Sequence, residues 1–195
     1  IIKEIYFLKE FINIILPNFS KFIHVNINYG EKKNILDAVM SSFGLTNPKL
    51  LRDRYEGVLF LDKFTNKIIG VIAVGKILKL PAIDWSLIKP RKYEPNININ
   101  GNKIRIVTVK YGYFPVIEKE NKLPVIIVLN REDKEGFICG FADVETLNSD
   151  KNVTRLKNIA TRSLETKVNF IAFDKLKQFA NQEELLNILN LKKDE

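Results

Sequence analysis

The sequence predicts an α+β domain, an antiparallel sheet built from β-hairpins (about 57–76 and 103–142) flanked by N-terminal and C-terminal helices. Three observations predict it. Apolar residues recur at helical spacing near both ends, strongly apolar or alternating runs fill the middle, and Gly, Pro and Asn punctuate the joins. Apolar residues at 46% and charged residues at 28% match folded chains, which argues against extended disorder, collagen-like structure and coiled coil. A length of 195 residues suits one ordinary core, so 1–195 reads as a single domain with a helix-and-strand part over 1–56, a β-rich core over 57–147 and a helical part over 148–195.

The elements follow in order. Ile5, Leu8, Ile12 and Ile15 share one helical face over 2–16, and Pro17 stops the helix. A short strand follows at 22–28. Over 31–43 the helical period returns through Ile35, Val39 and Phe43, with Gly44 where helices often end in a left-handed residue. Pro48 opens a short helical piece. From Gly57, GVLFLDK, a turn at 64–66 and KIIGVIAVG read as the first hairpin. Pro81, Pro90 and Pro95 punctuate a loop-rich stretch, and KIRIVTV alternates cleanly from Lys103. PVIIVLN and GFICGF then pair across the charged turn REDKE. The tail reads as a helix at 154–165, a strand at 168–173, and helices introduced by Asp174 and Asn181, the latter with Glu184 resembling a capping box.

One Cys (Cys139) and one His (His24) exclude disulfide scaffolds and Cys/His zinc sites. No apolar run approaches the roughly 18 residues that span a bilayer. An intracellular, cytoplasmic location is therefore the expectation, although a chain opening on Ile1 leaves an upstream natural N-terminus and a removed targeting peptide open.

Charge is distributed unevenly. The net +8 resides in 63–110, where 10 Lys/Arg face only Asp84 and Glu94 as acids. A stripe of one sign is an electrostatic footprint for a polyanion, because Lys and Arg that neutralise phosphates release counterions. Within it, Trp85, Lys89, Arg91, Lys92 and Tyr93 interleave bases and aromatics on a Pro-stiffened segment, the pattern that contacts phosphates and stacks bases. Lys103 and Arg105, two apart on one strand, extend the patch. The competing reading anchors Trp85 and Tyr93 in the core and leaves the lysines as solvated surface; Lys outnumbering Arg 24 to 7 also fits an AT-rich coding sequence.

Other motifs point elsewhere. Gly70 to Lys76 satisfies GxxxxGK but has Ile77 in place of the magnesium-binding Ser/Thr and apolar strand formers between the glycines, so it reads as core. His24 reads as a half-buried, hydrogen-bonded histidine and Cys139 as a buried, inert thiol. Asp150 with the triplet Glu165-Thr166-Lys167 superficially meets the D…ExK arrangement of many restriction-type nucleases, at a helix-to-strand junction rather than inside a strand.

These observations predict a non-enzymatic domain that binds a polyanion, most plausibly nucleic acid, through Lys89, Arg91, Lys92, Lys103 and Arg105 with Trp85 and Tyr93, and without a cofactor. An alternative is a Mg²⁺-dependent nuclease drawing on Glu118, Glu120, Asp143, Glu145, Asp150 and Glu165 with Lys167. A third reading is an assembly module that meets a protein partner or a second copy through apolar helices bearing Leu176, Phe179, Leu185, Leu186 and Leu189.

Overall fold

The computed structural model describes residues 11–155 and 166–190. Its helices are α1 (Tyr29–Ser42), α2 (Pro48–Arg52), α3 (Tyr55–Ile77), α4 (Val144–Asn148) and α5 (Gln182–Asn190). Its strands are β1 (Ile23–Asn26), β2 (Asn96–Ile99), β3 (Asn102–Lys110), β4 (Val116–Glu118), β5 (Val125–Arg131), β6 (Glu135–Ala142), β7 (Val153–Arg155) and β8 (Lys167–Phe170). Helices and strands coexist as the α+β class requires.

The expected hairpin over 57–76 is instead the 23-residue helix α3. Burial on two sides is the physical reason the sequence reads otherwise. Ala73, Val74 and the following Leu78 pack against the main sheet, while Phe64, Ile68, Ile69 and Ile72 pack against α1. A helix that is apolar around most of its circumference lacks the narrow stripe that betrays an amphipathic one, and its Val and Ile content imitates a strand. Helical order is still written in Asp62, Lys63, Asn66 and Lys67, which share one face at i, i+1, i+4 and i+5. No helix of the described residues is long and apolar enough to cross a membrane.

The main sheet runs β1-β6-β5-β3-β2. It is mixed, because β3 and β5 lie parallel in register from Arg105↔Val125 to Lys110↔Asn130, whereas the other three pairs are antiparallel. Of the expected 103–142 hairpin, β5 and β6 pair as foreseen. Between β3 and β5 the chain detours through 111–124, where β4 joins a second sheet of order β4-β8-β7, and it re-enters beside β3 in the same direction. Both faces of the main sheet are covered: α3 and α5 meet one, and Phe11, Ile15, Phe22, Ile117, Val168 and Phe170 meet the other. That explains why Val125 to Asn130 are all buried.

The β5–β6 turn needs left-handed backbone at Glu132 and Asp133, with φ near 54° at each. Buried Asn130 holds it: its side-chain oxygen accepts from the Asp133 N–H at 3.0 Å, and its amide nitrogen donates to Asp133 at 2.7 Å and to Asn66 at 3.0 Å. Asn66 in turn donates to the Thr108 carbonyl at 2.8 Å. This polar chain ties the turn to the middle of α3.

The ends depart from expectation in places. Residues 11–14 are helical and Pro17 opens a 3-10 turn over Leu16–Lys21; the rest of the 2–16 helix lies outside the described residues. Of the expected 154–165 helix, Thr154 and Arg155 are strand β7, and the remainder also lies outside them. After Asp174 there is only the 3-10 turn Phe173–Lys175, because Lys177 is drawn into two backbone hydrogen bonds of 2.8 Å with Phe141 and Gln178 donates to the Cys139 carbonyl at 2.8 Å. Asn181 and Glu184 do cap α5, with the Glu184 N–H donating to the Asn181 side chain at 2.9 Å.

Candidate functional site

Three of the ten cations between 63 and 110 are neutralised locally. Lys76 pairs with Glu31 at 2.8 Å, Lys110 with Asp62, and Lys103 with Glu94 at 3.9 Å. Among the described residues Lys63, Lys67, Lys79, Lys89, Arg91, Lys92 and Arg105 form no ion pair. Asp84, one of the two acids of this stretch, folds back on its own turn: the Ser86 hydroxyl donates to it at 2.6 Å and the Ser86 N–H at 3.0 Å, which holds its carboxyl below the ordinary aspartate value.

Four of these cations, Lys63, Lys89, Arg91 and Lys92, lie around the corner between the C-terminus of α1 and the N-terminal half of α3. Phe43 caps α1, and its ring meets Phe60 of α3 edge-on at 5.4 Å. The Arg91 guanidinium lies 4.8 Å above the Phe43 centroid and that of Arg54 lies 5.9 Å from it. Two like charges meet one aromatic ring. A cleft of about 400 Å³ opens beside them, lined by Phe43, Leu59, Phe60, Lys63, Arg91 and the single acid Glu56. A second cleft, of about 370 Å³, continues past Arg91, where Trp85, Lys89 and Lys92 face Ser41 and Ser42. Pro90 sets this geometry by opening the 3-10 turn Pro90–Lys92, which turns the three bases outward while its own ring is buried.

The seven residues singled out from sequence do not form one surface. Lys89, Arg91, Lys92 and Trp85 share the second cleft. Tyr93 is an anchor: its ring packs edge-on against Phe64 at 5.6 Å, and burial pushes its phenol up to about 12. Lys103 and Arg105 alternate with Ile104 and Ile106, which face α3, so they project from the opposite face of the sheet. Arg54, Lys63 and Phe43 are the additions; the charged run Arg52-Asp53-Arg54 after an aromatic helix end carries the signal for them in the sequence.

The remaining motifs settle into structural roles. Lys76 of the GxxxxGK match lies in a helix and donates to the Asn26 carbonyl at 2.8 Å, and Gly70 is where α3 crosses β3. His24 is more exposed than expected: its ring stacks on Phe137 at 4.9 Å and its Nε2 lies 2.8 Å from the Glu135 carboxylate, which Arg131 also contacts. Cys139 is fully buried, and burial raises its thiol well above the ordinary range. Leu176, Phe179 and Leu185 are buried in the core, with Leu186 and Leu189 packed against it.

The carboxylates scatter. Glu118 and Glu120 share a cleft of about 420 Å³ with Lys119, Thr166 and Lys167, and Glu118 sits opposite Lys167 across β4 and β8. Asp143 caps α4 by accepting from the Thr146 N–H at 2.8 Å and pairs with Lys177 at 3.4 Å; Glu145 lies in that helix's first turn and Asp150 begins a 3-10 turn. Glu165 is outside the described residues. Among the described residues no three His, Cys, Asp or Glu side chains gather as a metal-holding group.

The architecture is that of an α+β domain whose central helix lies between a mixed five-stranded sheet and a helical cap. No family model, no curated protein and no solved structure matches this chain.

Proposed function

We propose that this domain binds a polyanion, a nucleic acid, through the face formed by Arg54, Lys63, Lys89, Arg91 and Lys92 around Phe43. The observation that carries the reading is the pair of guanidiniums over the Phe43 ring. Like charges repel, and among the described residues neither Arg54 nor Arg91 has a carboxylate partner to offset that repulsion. A phosphate between them would, and Trp85 in the adjoining cleft would offer a base a ring on which to stack. Binding is counterion release with a stacking contribution, so affinity falls steeply with salt. Lys103 and Arg105 are left out of the site.

Fluorescence anisotropy of labelled single- and double-stranded DNA and RNA at about 50 and 200 mM salt tests the proposal, since phosphate-driven binding weakens markedly over that interval. Arg54→Glu/Arg91→Glu abolishes binding, whereas Lys103→Glu/Arg105→Glu leaves it intact. The reverse pattern, or no binding by the unaltered protein at low salt, overturns the assignment. Adding Mg²⁺ tests the metal-dependent nuclease alternative in the same experiment: cleavage that EDTA stops and that Glu118→Gln/Glu120→Gln removes would move the function to the cleft shared with Lys167.

A further inference from the structure

The largest of the described clefts, about 590 Å³, lies away from the Phe43 corner. Its floor is the C-terminal half of α3, where Val71, Ile72 and Gly75 line it. Leu80, Pro81, Ala82, Ile83 and Trp85 from the following segment line it as well, together with Ile97 of β2. The volume falls within the roughly 300–1,000 Å³ of small-molecule sites, and the apolar lining with a few polar groups matches their chemistry.

We propose that this cleft is a binding site for a small, uncharged molecule with an aromatic or branched aliphatic body and a hydrogen-bonding edge. Three features select that class. First, the charged groups at the rim cancel each other: Lys76 and Glu31 are paired at 2.8 Å, and Glu31 is further held by the Asn28 N–H at 2.7 Å, so no net charge faces a ligand. Second, the amides of Asn34 and Asn98 stand at the edge and, among the described residues, hydrogen-bond to nothing; each offers both a donor and an acceptor. Third, Gly75 has no steric reason to be glycine. A β-carbon there would meet nothing within 4 Å, in contrast to Gly70, where it would strike Thr108. Glycine inside a helix weakens it relative to alanine, and at position 75 its effect is to keep the floor of the cleft flat.

The chain's single tryptophan lines this cleft and also the one beside Lys89 and Lys92, so a change in its emission belongs to this cleft only where Gly75→Leu removes it. The test uses N-phenyl-1-naphthylamine, a neutral aromatic probe that brightens in apolar surroundings. The expected result is saturable one-to-one binding with energy transfer from Trp85, and protection of Trp85 from acrylamide quenching. Gly75→Leu, which fills the floor, weakens probe binding at least tenfold while far-UV circular dichroism stays unchanged. Leu87→Ser, which alters the most exposed apolar side chain of this segment, leaves binding unchanged. Should Gly75→Leu fail to fold, acrylamide protection in the unaltered protein and Ile83→Asp carry the decision. Non-saturable binding, absence of energy transfer, or loss of binding in Leu87→Ser instead of Gly75→Leu overturns the assignment.

Discussion

Two identical substitutions five residues apart in α3 have opposite consequences. At Gly70 a methyl group would lie 1.9 Å from Thr108 Oγ1, 2.9 Å from Ile106 Cγ2 and 3.1 Å from Thr108 Cβ. Attractive carbon contacts sit at about 3.5–4.0 Å, so the helix must lift off β3 or Thr108 must rotate. Overpacking of this kind costs about 1–3 kcal/mol. The gain in helix propensity from Gly to Ala returns about 0.5–1 kcal/mol, leaving Gly70→Ala destabilised by up to about 2.5 kcal/mol. At Gly75 only the propensity gain operates, because a β-carbon meets nothing within 4 Å, and Gly75→Ala is stabilised by about 0.5–1 kcal/mol. Urea denaturation followed by far-UV circular dichroism measures both. A third variant isolates the contact: Thr108→Ala sacrifices no hydrogen bond, because among the described residues the buried Thr108 Oγ1 has no partner, and in its background Gly70→Ala costs less, with a coupling of about 0.5–3 kcal/mol. Equal effects at the two glycines, or no coupling with Thr108, would refute the close crossing of α3 on β3 and revive a hairpin over these residues.

Other expectations follow from the same geometry. Burial at the β1–β6 corner works to raise the Glu135 carboxyl, but the Arg131 hydrogen bond and charge, and then those of His24, outweigh it and hold the group below its ordinary value. Its contribution to stability is therefore present above the unfolded-state pKa and lost as pH falls through the lower folded one; Glu135→Gln flattens that acid limb in urea midpoints measured against pH. Tyr93 behaves in the opposite sense, since an acid whose folded pKa is raised from 10.0 to about 12 loses stability as pH climbs through that interval, and Tyr93→Phe removes the loss. Truncating Asn130 to Ala leaves the Asp133 N–H and the Asn66 side chain without their partner and destabilises by about 1–3 kcal/mol in thermal or urea unfolding. In salt titrations, Arg54→Ala and Arg91→Ala each reduce the slope of log affinity against log salt by about 0.7–0.9 if each contacts one phosphate; unchanged slopes would remove both from the interface.

The parts of the fold legible in sequence are those buried on one side or delimited by punctuation. Helix α1 shows its period through Ile35 and Val39, while its start lies two residues ahead of the expected 31, at the capping box that Asn28 and Glu31 form. The β5–β6 hairpin is marked by its charged turn. Helix α3 is hidden because its two apolar sides face different layers, so the period of each is overwritten by the other. The parallel pairing of β3 and β5 is hidden for another reason: register between them depends on where residues 111–124 travel, and that route is set by β4 pairing with a strand fifty residues further on.

Charge in the candidate site shows the same contrast between order along the chain and order in space. The run from Lys89 to Lys92 is local, and Pro90 keeps it so. Lys103 and Arg105 follow within fifteen residues, yet one strand reversal and the pleat send them to the far face of the sheet. Arg54 stands nearly forty residues before Arg91 and reaches the same ring, because α3 brings its own N-terminus back beside the end of α1. A net charge of +8 concentrated in one quarter of the sequence is therefore shared among several surfaces, and what singles out one of them is the pair of guanidiniums over Phe43 that, among the described residues, have no carboxylate partner. For that reason the Arg54/Arg91 double reversal, and not a reversal spread over the basic segment, is the substitution whose effect on binding carries information.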